Sequence, residues 1–493
     1  MNLFEYVLHC SVKRMALLII LTAASAFAAH AQVIWSSPVN VSQAVSGFAV
    51  DSQVAVDPGG RIYIAWRWHV TPQSDYQVLF SRSSDGGTTF STPVNLSNSS
   101  ASSTTPRIAL DANGNISIIW GEVMPGVGKN VFFSRSNDAG VSFSLPQNLS
   151  AGGNVDTSNL YQMAVDASGN VNVVWSINTG QILLTRSTDG GATFSTPLDV
   201  TGGRGGIVPS IALDAGGNIN IAWEGIIAVS SCGPTPYLNA ALFFTRSVDG
   251  GTTFSNPQDI SLSSLDGVFG YRIAVDLSGQ IDFAWESNSL DSTGCPIWTR
   301  NVLFSESTDG GATFSAVQNL WKSSGAGTVV GSIYLQMAVD TAGNVNVAWP
   351  DTTTPTTIYA RSSDKGVSFS VPRQIATGIS LQMATDFNGN IVLLDWDLNS
   401  ASGGYLSRSS DGGAVFFPTP LPGDMSSGLF SSPQAAAMAL DSVGNVNLTW
   451  WSTGSTNQSL LFSHGTVISV VSLSAAGLSA ASHARGPDGV PAL

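Results

Sequence analysis

The chain has little charge. Only 11% of its 493 residues are Asp, Glu, Lys or Arg, against roughly 25% in an average soluble protein. Lysine is scarcest, confined to Lys13, Lys129, Lys322 and Lys365; Lys plus Arg total 19 against 33 acids, a net charge of -14. A chain without a basic face lacks the groups that dominate binding to phosphate backbones, which argues against nucleic-acid partners. Adhesion to anionic lipid falls with them. Long apolar runs are absent except for one at the N-terminus, so a multi-span membrane protein is excluded. Beyond that segment the histidines are His69, His464 and His483, too dispersed to suggest a metal site. No phosphate-loop pattern and no Gly-x-Ser-x-Gly elbow occurs, and no cofactor or metal is expected. With 43% hydrophobic residues and 13 Trp, disorder is excluded as well.

The N-terminal exception reads as a targeting segment. Lys13-Arg14 precedes an apolar stretch from Met15 to Ala28, followed by Ala29-His30-Ala31. A positive flank, a short apolar core and an Ala-x-Ala site make a secretory signal, with cleavage expected after Ala31. A membrane anchor needs about 18 apolar residues, more than this run supplies. The expectation is a signal peptide over 1–31, an alternative start at Met15, and a secreted or periplasmic monomer with no membrane insertion after cleavage. Export would leave Cys232 and Cys295 where disulfides persist.

Two short patterns alternate along the remainder. The first is an apolar strand ending in Asp, a Gly-containing turn, and a second strand ending in Trp, as in VAVDPGGRIYIAW at 54–66 and MAVDASGNVNVVW at 163–175. Its Asp recurs at 57, 111, 166, 214, 276, 340, 386 and 441, so seven intervals over 384 residues give a mean period near 55. Alternation such as Val171-Asn172-Val173 has the period of a strand. The second pattern is a strand, an acidic turn and another strand, as in FSRSSDGGTTFSTPVNLS at 80–97, in seven copies. Each repeat thus supplies four strands, one propeller blade.

The expected fold is all-β: a single β-propeller over 32–474, with eight four-stranded blades and seven as the alternative. A solenoid would need capping repeats. Here the ends fit each other instead: the eighth unit lacks the acidic turn, and Trp35-Ser36-Ser37-Pro38-Val39-Asn40-Val41-Ser42 matches the fourth strand of the first unit, Phe90 to Ser97. The N-terminal strand is expected to close the ring, with 467–474 competing for that place. Residues 475–493 read as a mobile tail.

The acidic turn, Ser187-Thr188-Asp189-Gly190-Gly191-Ala192-Thr193-Phe194, has counterparts around Asp85, Asp138, Asp249, Asp309, Asp364 and Asp411. It resembles the Asp-box (BNR) motif of the sialidase-like propellers over nearly the whole mature chain. The carboxylate can accept N–H bonds across a tight turn while Gly supplies backbone freedom, so these Asp read as structural. The turns such as Asp111 to Asn115 echo a calcium loop without its distal Glu. The repeated Arg82, Arg135, Arg186, Arg246, Arg361 and Arg408 also read as blade parts.

Strand order sorts the two ends of the blades. Both kinds of Asp turn fall at one end, and the family's active sites are at the other. There, Glu122, Glu224 and Glu286 directly follow second strands, with Asp351 and Asp397 in similar places. Carboxylates on one rim could do acid/base work or bind sugar hydroxyls. Trp68 and Trp298 lie outside the Trp ring and are candidates for sugar stacking. The resemblance implies an arginine clamp and a Tyr–Glu nucleophile pair. Tyr271-Arg272-Ile273-Ala274 and Pro106-Arg107-Ile108-Ala109 are partial matches to the family's arginine motif, and Arg67 is a further arginine at this end. Blades one and five stand opposite each other in an eight-membered ring, which weakens such a clamp.

Cys232 and Cys295 fall in the two longest second-to-third-strand loops, of adjacent blades four and five, and are expected to form a disulfide. Two functions follow. One is an exported Asp-box propeller binding a glycan or extracellular protein. The other is a sialidase-type exo-glycoside hydrolase, with Arg107 and Arg272 gripping a carboxylate and Tyr271 with Glu224 or Glu286 as nucleophile pair.

Overall fold

The structure is a computed structural model describing residues 27–43, 47–69, 75–152, 154–156, 161–232, 235–261, 266–290, 295–322, 334–351, 354, 356–396, 404–422, 436–451 and 459–473. Residues 1–26 of the expected signal peptide, the expected tail from 475 and Asp397 lie outside them. Contacts divide the chain into Ile34–Thr466 and a small unit of Met1–Val33 with Val467–Leu493.

The larger unit is a β-propeller of eight antiparallel sheets, seven of them built from consecutive strands. Blade one is Phe48–Val56, Ile62–His69, Gln77–Ser83 and Val94–Asn95, paired in that order. Blade two differs in that its first strand is split into Ser102–Ser103 and Arg107–Leu110, both paired with Ile116–Met124. Pro106 sits at the break and has no N–H to give the ladder.

The layers explain the sequence pattern. First strands such as Arg107–Leu110 and Gln336–Val339 are half-buried throughout, and each touches the first strands of its neighbours all the way round, blade eight meeting blade one. Second strands such as Val171–Ser176 and Ile391–Trp396 are buried on both faces. The tryptophans that end them fill the spaces between sheets: Trp66, Trp120, Trp175, Trp223, Trp285, Trp349 and Trp450 are the largest fully buried side chains. Each removes about 150–250 Å² from water, the dominant local stabilisation.

The ring closes as the repeat predicts. Blade eight contains Ala436–Leu440, Val446–Trp451 and Leu460–Leu473, and its fourth place is taken by Val39–Asn40, with Val39 opposite Phe462 and Asn40 opposite Leu461. The stretch from Val467 to Leu473 does not take that place; it prolongs the third strand, next to Phe27–Trp35.

The acidic turns are self-contained. Ser187 Oγ donates to Asp189 Oδ1 and accepts the Gly191 N–H, both at 2.7 Å, while Asp189 Oδ1 accepts the N–H groups of Ala192 and Thr193 at 2.9 Å. The Thr193 hydroxyl takes Oδ2 at 2.6 Å. Asp85, Asp138, Asp249, Asp309, Asp364 and Asp411 accept the corresponding N–H in their own turns. The Thr89 hydroxyl foremost, with the Thr89 N–H, holds Asp85 down at about 2.

Candidate functional site

In a four-stranded meander the first and third turns share one end, so second strands finish at the end away from the acidic turns. The scarce glutamates lie there, but beneath the rim: Glu286 is 0%, Glu122 2% and Glu224 8% exposed. Blades four and five are prolonged at this end. The segments that read as long loops are strand extensions, the hairpins Ile219–Cys232 with Thr235–Ser247 and Ile281–Leu290 with Pro296–Ser307. Their ladders run out to Cys232 opposite Thr235 and Leu290 opposite Pro296.

Under these hairpins the sequence candidates of blades four and five join one buried network. Glu224 Oε1 accepts the Gly270 N–H at 2.8 Å, and burial pushes its carboxyl up to about 7. Glu286 is paired with Arg300, both buried. Burial pushes Glu286 up to about 7 although Arg300 and Arg272 pull it down. Arg272 donates to the Tyr271 carbonyl at 2.9 Å. Loss of hydration lowers its pKa, against the opposing pull of Glu286.

Tyr271, the nucleophile the resemblance implies, is held between blades. It is 5% exposed in an apolar cluster with Trp285 and Phe283. Its hydroxyl donates to the carbonyls of Val208 and Ala222, both at 2.7 Å, and burial raises its pKa well above the ordinary value. Tyr161 is likewise held between blades two and three, donating to the Thr105 carbonyl at 2.5 Å and accepting the Gly121 N–H at 3.0 Å.

The remaining candidates are dispersed. Arg107 belongs with Tyr161, on whose hydroxyl its charge acts together with that of Arg67. Arg67 itself pairs with Asp51 at 2.5 Å and lies 3.8 Å above the Tyr76 ring. Glu122 Oε1 accepts from Trp120 Nε1 at 2.8 Å. Trp68 is half-buried and packs on the core shared by blades one and eight. Asp351 accepts from the Thr354 hydroxyl at 3.3 Å. Trp298 has its backbone in Pro296–Ser307, but its side chain and that of Cys232 lie outside the described ones. Cys295 is disulfide-bonded.

Sequence reading overlooked Arg300, Asp51 and Asp395. Arg300 was visible as an arginine outside the repeat. Asp51, in the first strand of blade one, has φ 53°, a left-handed conformation matched by Val208 at 53° and Gly270 at 64°. Each marks a register shift in its first strand. Such bulges re-aim side chains at barrel rims and binding sites. Asp395 is fully buried and pushed up to about 6 by desolvation. It interrupts the run just before Trp396, where other units carry an apolar residue or Thr.

At the opposite mouth of the channel lies a cavity of about 520 Å³ lined by Asp57, Asp276, Asp340, Asp386, Asp441 and Phe387. Its acidity is already engaged, since each carboxylate closes its own turn, as Asp441 does on the N–H groups of Val443 and Asn445. Among the described residues no group of three or more His, Cys, Asp or Glu side chains is arranged to hold a metal.

No protein-family model and no curated protein matches the chain. Solved structures do, at low identity. A protein of unknown function from Dyadobacter fermentans is 12% identical, covering 88% of this chain and 99% of that one, with a TM-score of 0.41. A polysaccharide lyase acting on ulvan is 10% identical over 80% of this chain and 96% of its own, TM-score 0.46. The intramolecular trans-sialidase of Ruminococcus gnavus is 14% identical over 86% and 95%, TM-score 0.34. The structural neighbours of this eight-bladed propeller thus include sialidases and a polysaccharide lyase, and the likeness is one of fold.

Proposed function

We propose that the chain is an exported Asp-box propeller that binds a glycan or a segment of an extracellular protein over blades four and five, without hydrolysing it. The observation that carries this reading is the engagement of the groups that sialidase-type chemistry would use. The Tyr271 hydroxyl is bound to two carbonyls, Glu224 to Gly270 and Glu286 to Arg300. A nucleophile so held cannot reach a substrate. Binding is supported by what projects above them: two extended hairpins, and Ile226 and Ile227, 41% and 50% exposed, beside the register shift of the blade-four hairpin. Neighbouring exposed aliphatic side chains on a rigid hairpin suit an apolar contact with a ligand.

A Cys232–Cys295 bridge belongs to the proposal. It would tie the tip of one hairpin to the tip of the next and limit their motion relative to each other. Peptide mapping should yield a linked Cys232–Cys295 pair that separates on reduction. Linkage of Cys295 to Cys10, or to a second chain, would remove the staple.

The raised carboxyls of Glu224 and Glu286 favour the hydrolase as second reading, since a general acid works best with a pKa near 7. A fluorogenic sialoside separates the two. No turnover is expected from the wild-type chain, whereas turnover that disappears in both Glu286→Gln and Arg272→Ala would establish the hydrolase instead. On a glycan array, or against immobilised extracellular proteins, Ile227→Asp should abolish whatever retention the wild type shows.

A further inference from the structure

Six blades carry an arginine at one position of the third strand, and the fold reveals its task. The guanidinium lies between acceptors of two blades. In its own blade it meets the first-turn carboxylate: Arg246 to Asp214 at 2.7 Å, Arg361 to Asp340 at 3.2 Å, Arg408 to Asp386 at 3.1 Å. In the next blade it donates to carbonyls of the acidic turn: Arg82 to Ala139 at 3.1 Å, Arg135 to Gly190 at 2.8 Å, and Arg186 to Gly250. A built-in cation thus joins consecutive blades.

Blade five departs from this twice. Glu306 stands where the arginine would. Directly opposite it in register is Asp282, where the corresponding residues facing Arg186, Arg246 and Arg361 are Asn172, Asn220 and Asn346. A cation has become an anion, and its neutral neighbour a second anion. Like charges directly opposite each other destabilise a sheet.

Both carboxylates are buried, Asp282 at 0% and Glu306 at 9% exposure, and each keeps one oxygen, Asp282 Oδ2 and Glu306 Oε2, without a hydrogen-bond partner. Asp282 Oδ1 accepts from Gln280 Nε2 at 2.8 Å. Glu306 reaches the acidic turn of blade six, where a Cβ on Gly366 would run into its Oε2. The groups around them do not supply the missing charge. The Lys365 carbonyl accepts from Gln280 Nε2 at 2.7 Å and the Gly366 carbonyl from Gln318 Nε2 at 2.6 Å. Asp276 and Asp364 add negative charge that bears on Asp282 and Glu306 respectively. Lys365 is exposed, and its ammonium makes no ion pair among the described residues. Leaving a buried charge without donor or counter-ion costs several kcal/mol.

We infer that blade five binds a hard divalent cation of the calcium type between Asp282 Oδ2 and Glu306 Oε2, in the place the arginine guanidinium takes in other blades. The donors are oxygen only, which selects calcium-like ions over those that prefer thiolate or imidazole. Two side-chain carboxylates are fewer than a three-acid cluster, so main-chain oxygen and water would complete the shell. The site shares no residue with the proposed ligand face, and neither reading depends on the other.

The test titrates the metal-stripped full chain with calcium chloride by calorimetry and follows its melting temperature with and without calcium. One site per chain and a melting temperature that rises with calcium are expected. Glu306→Gln should weaken binding at least tenfold. Asp282→Asn combined with Glu306→Arg restores the pattern of the other blades, so it should abolish the response and melt above the stripped wild type. No binding at millimolar calcium, or an undiminished response in the double variant, would overturn the inference. Melting governed by pH alone, with calcium having no effect, would overturn it too, by showing that a proton discharges the pair.

Discussion

Replacing Arg300 by Met is expected to cost about 1 kcal/mol at pH 5 and about 2–2.5 kcal/mol at pH 8, because a Glu286 carboxyl at about 7 gains only about 1.4 kcal/mol from ionising by pH 8. The Arg300 and Glu286 side chains are 5% and 0% exposed, and Met retains much of the aliphatic stem, so the loss is mainly that of the charge. Glu286 titrates at about 7 in the folded chain because burial outweighs the two arginines, whereas an unfolded Glu titrates near 4.3. Between those values the folded chain holds a proton that the unfolded chain has released, so stability falls as pH rises from about 4.3 to about 7 and then levels off. Glu224, also at about 7, and Asp395, at about 6, contribute with the same sign. The turn carboxylates Asp85, Asp249, Asp309 and Asp364, held at about 2, act oppositely. Their contribution is present above about pH 4 and is lost as pH falls toward 2.

The parent chain should therefore be most stable near pH 4–5. Without Arg300 the Glu286 carboxyl rises further, so the decline steepens and continues above pH 7. At pH 5 the carboxyl is neutral and no charge is stranded. Denaturant unfolding at pH 5, 7 and 8 measures this directly, and an equal loss at all three values would mean that Arg300 acts by packing alone.

The second large effect concerns closure. Phe462→Ala is expected to destabilise by about 3–5 kcal/mol, the range for emptying a buried aromatic site. Phe462 is fully buried among Val41, Ile64, Trp66 and Leu460, which come from the N-terminal strand, blade one and blade eight. Its ring stands edge-on to Phe90 at 5.0 Å and fills the space over Gly87, where a Cβ would run into it. Gly87 also has φ 86°, so the turn requires glycine there on both counts. One side chain thus links both ends of the repeat array to its first acidic turn. Phe90→Ala, at a half-buried position, should cost clearly less. Denaturation midpoints compare the two, and equal losses would show that the closure has no special place in the core.

Much of this was legible in the residues. Eight Trp-ended strands, the Asp turns and the match between 35–42 and 90–97 led to the blade count and the closure, because strand period, turn chemistry and repeat length are local properties. The glutamates follow a Trp by one or two residues and were expected just past the second strands, but they lie inside longer ones, Ile116–Met124, Ile219–Cys232 and Ile281–Leu290. Their exposure was not legible. Whether Glu224 lies on a rim or under a hairpin depends on Thr235–Ser247 continuing as a strand, and polar runs such as Ser230-Ser231 resemble a loop in composition.

Tyr271 shows the same limit. Tyr-Arg-Ile in a first strand resembles a catalytic motif, yet the hydroxyl is held by carbonyls of blade four, 63 and 49 residues away in sequence. The period and the turns were written in the chain because they arise between residues a few positions apart. The burial of the acids, the acceptors of the Tyr271 hydroxyl and the contacts of the repeated arginines with the next acidic turn were decided only when neighbouring blades met. Desolvation and such contacts depend on which sheet faces which, and no local pattern encodes that.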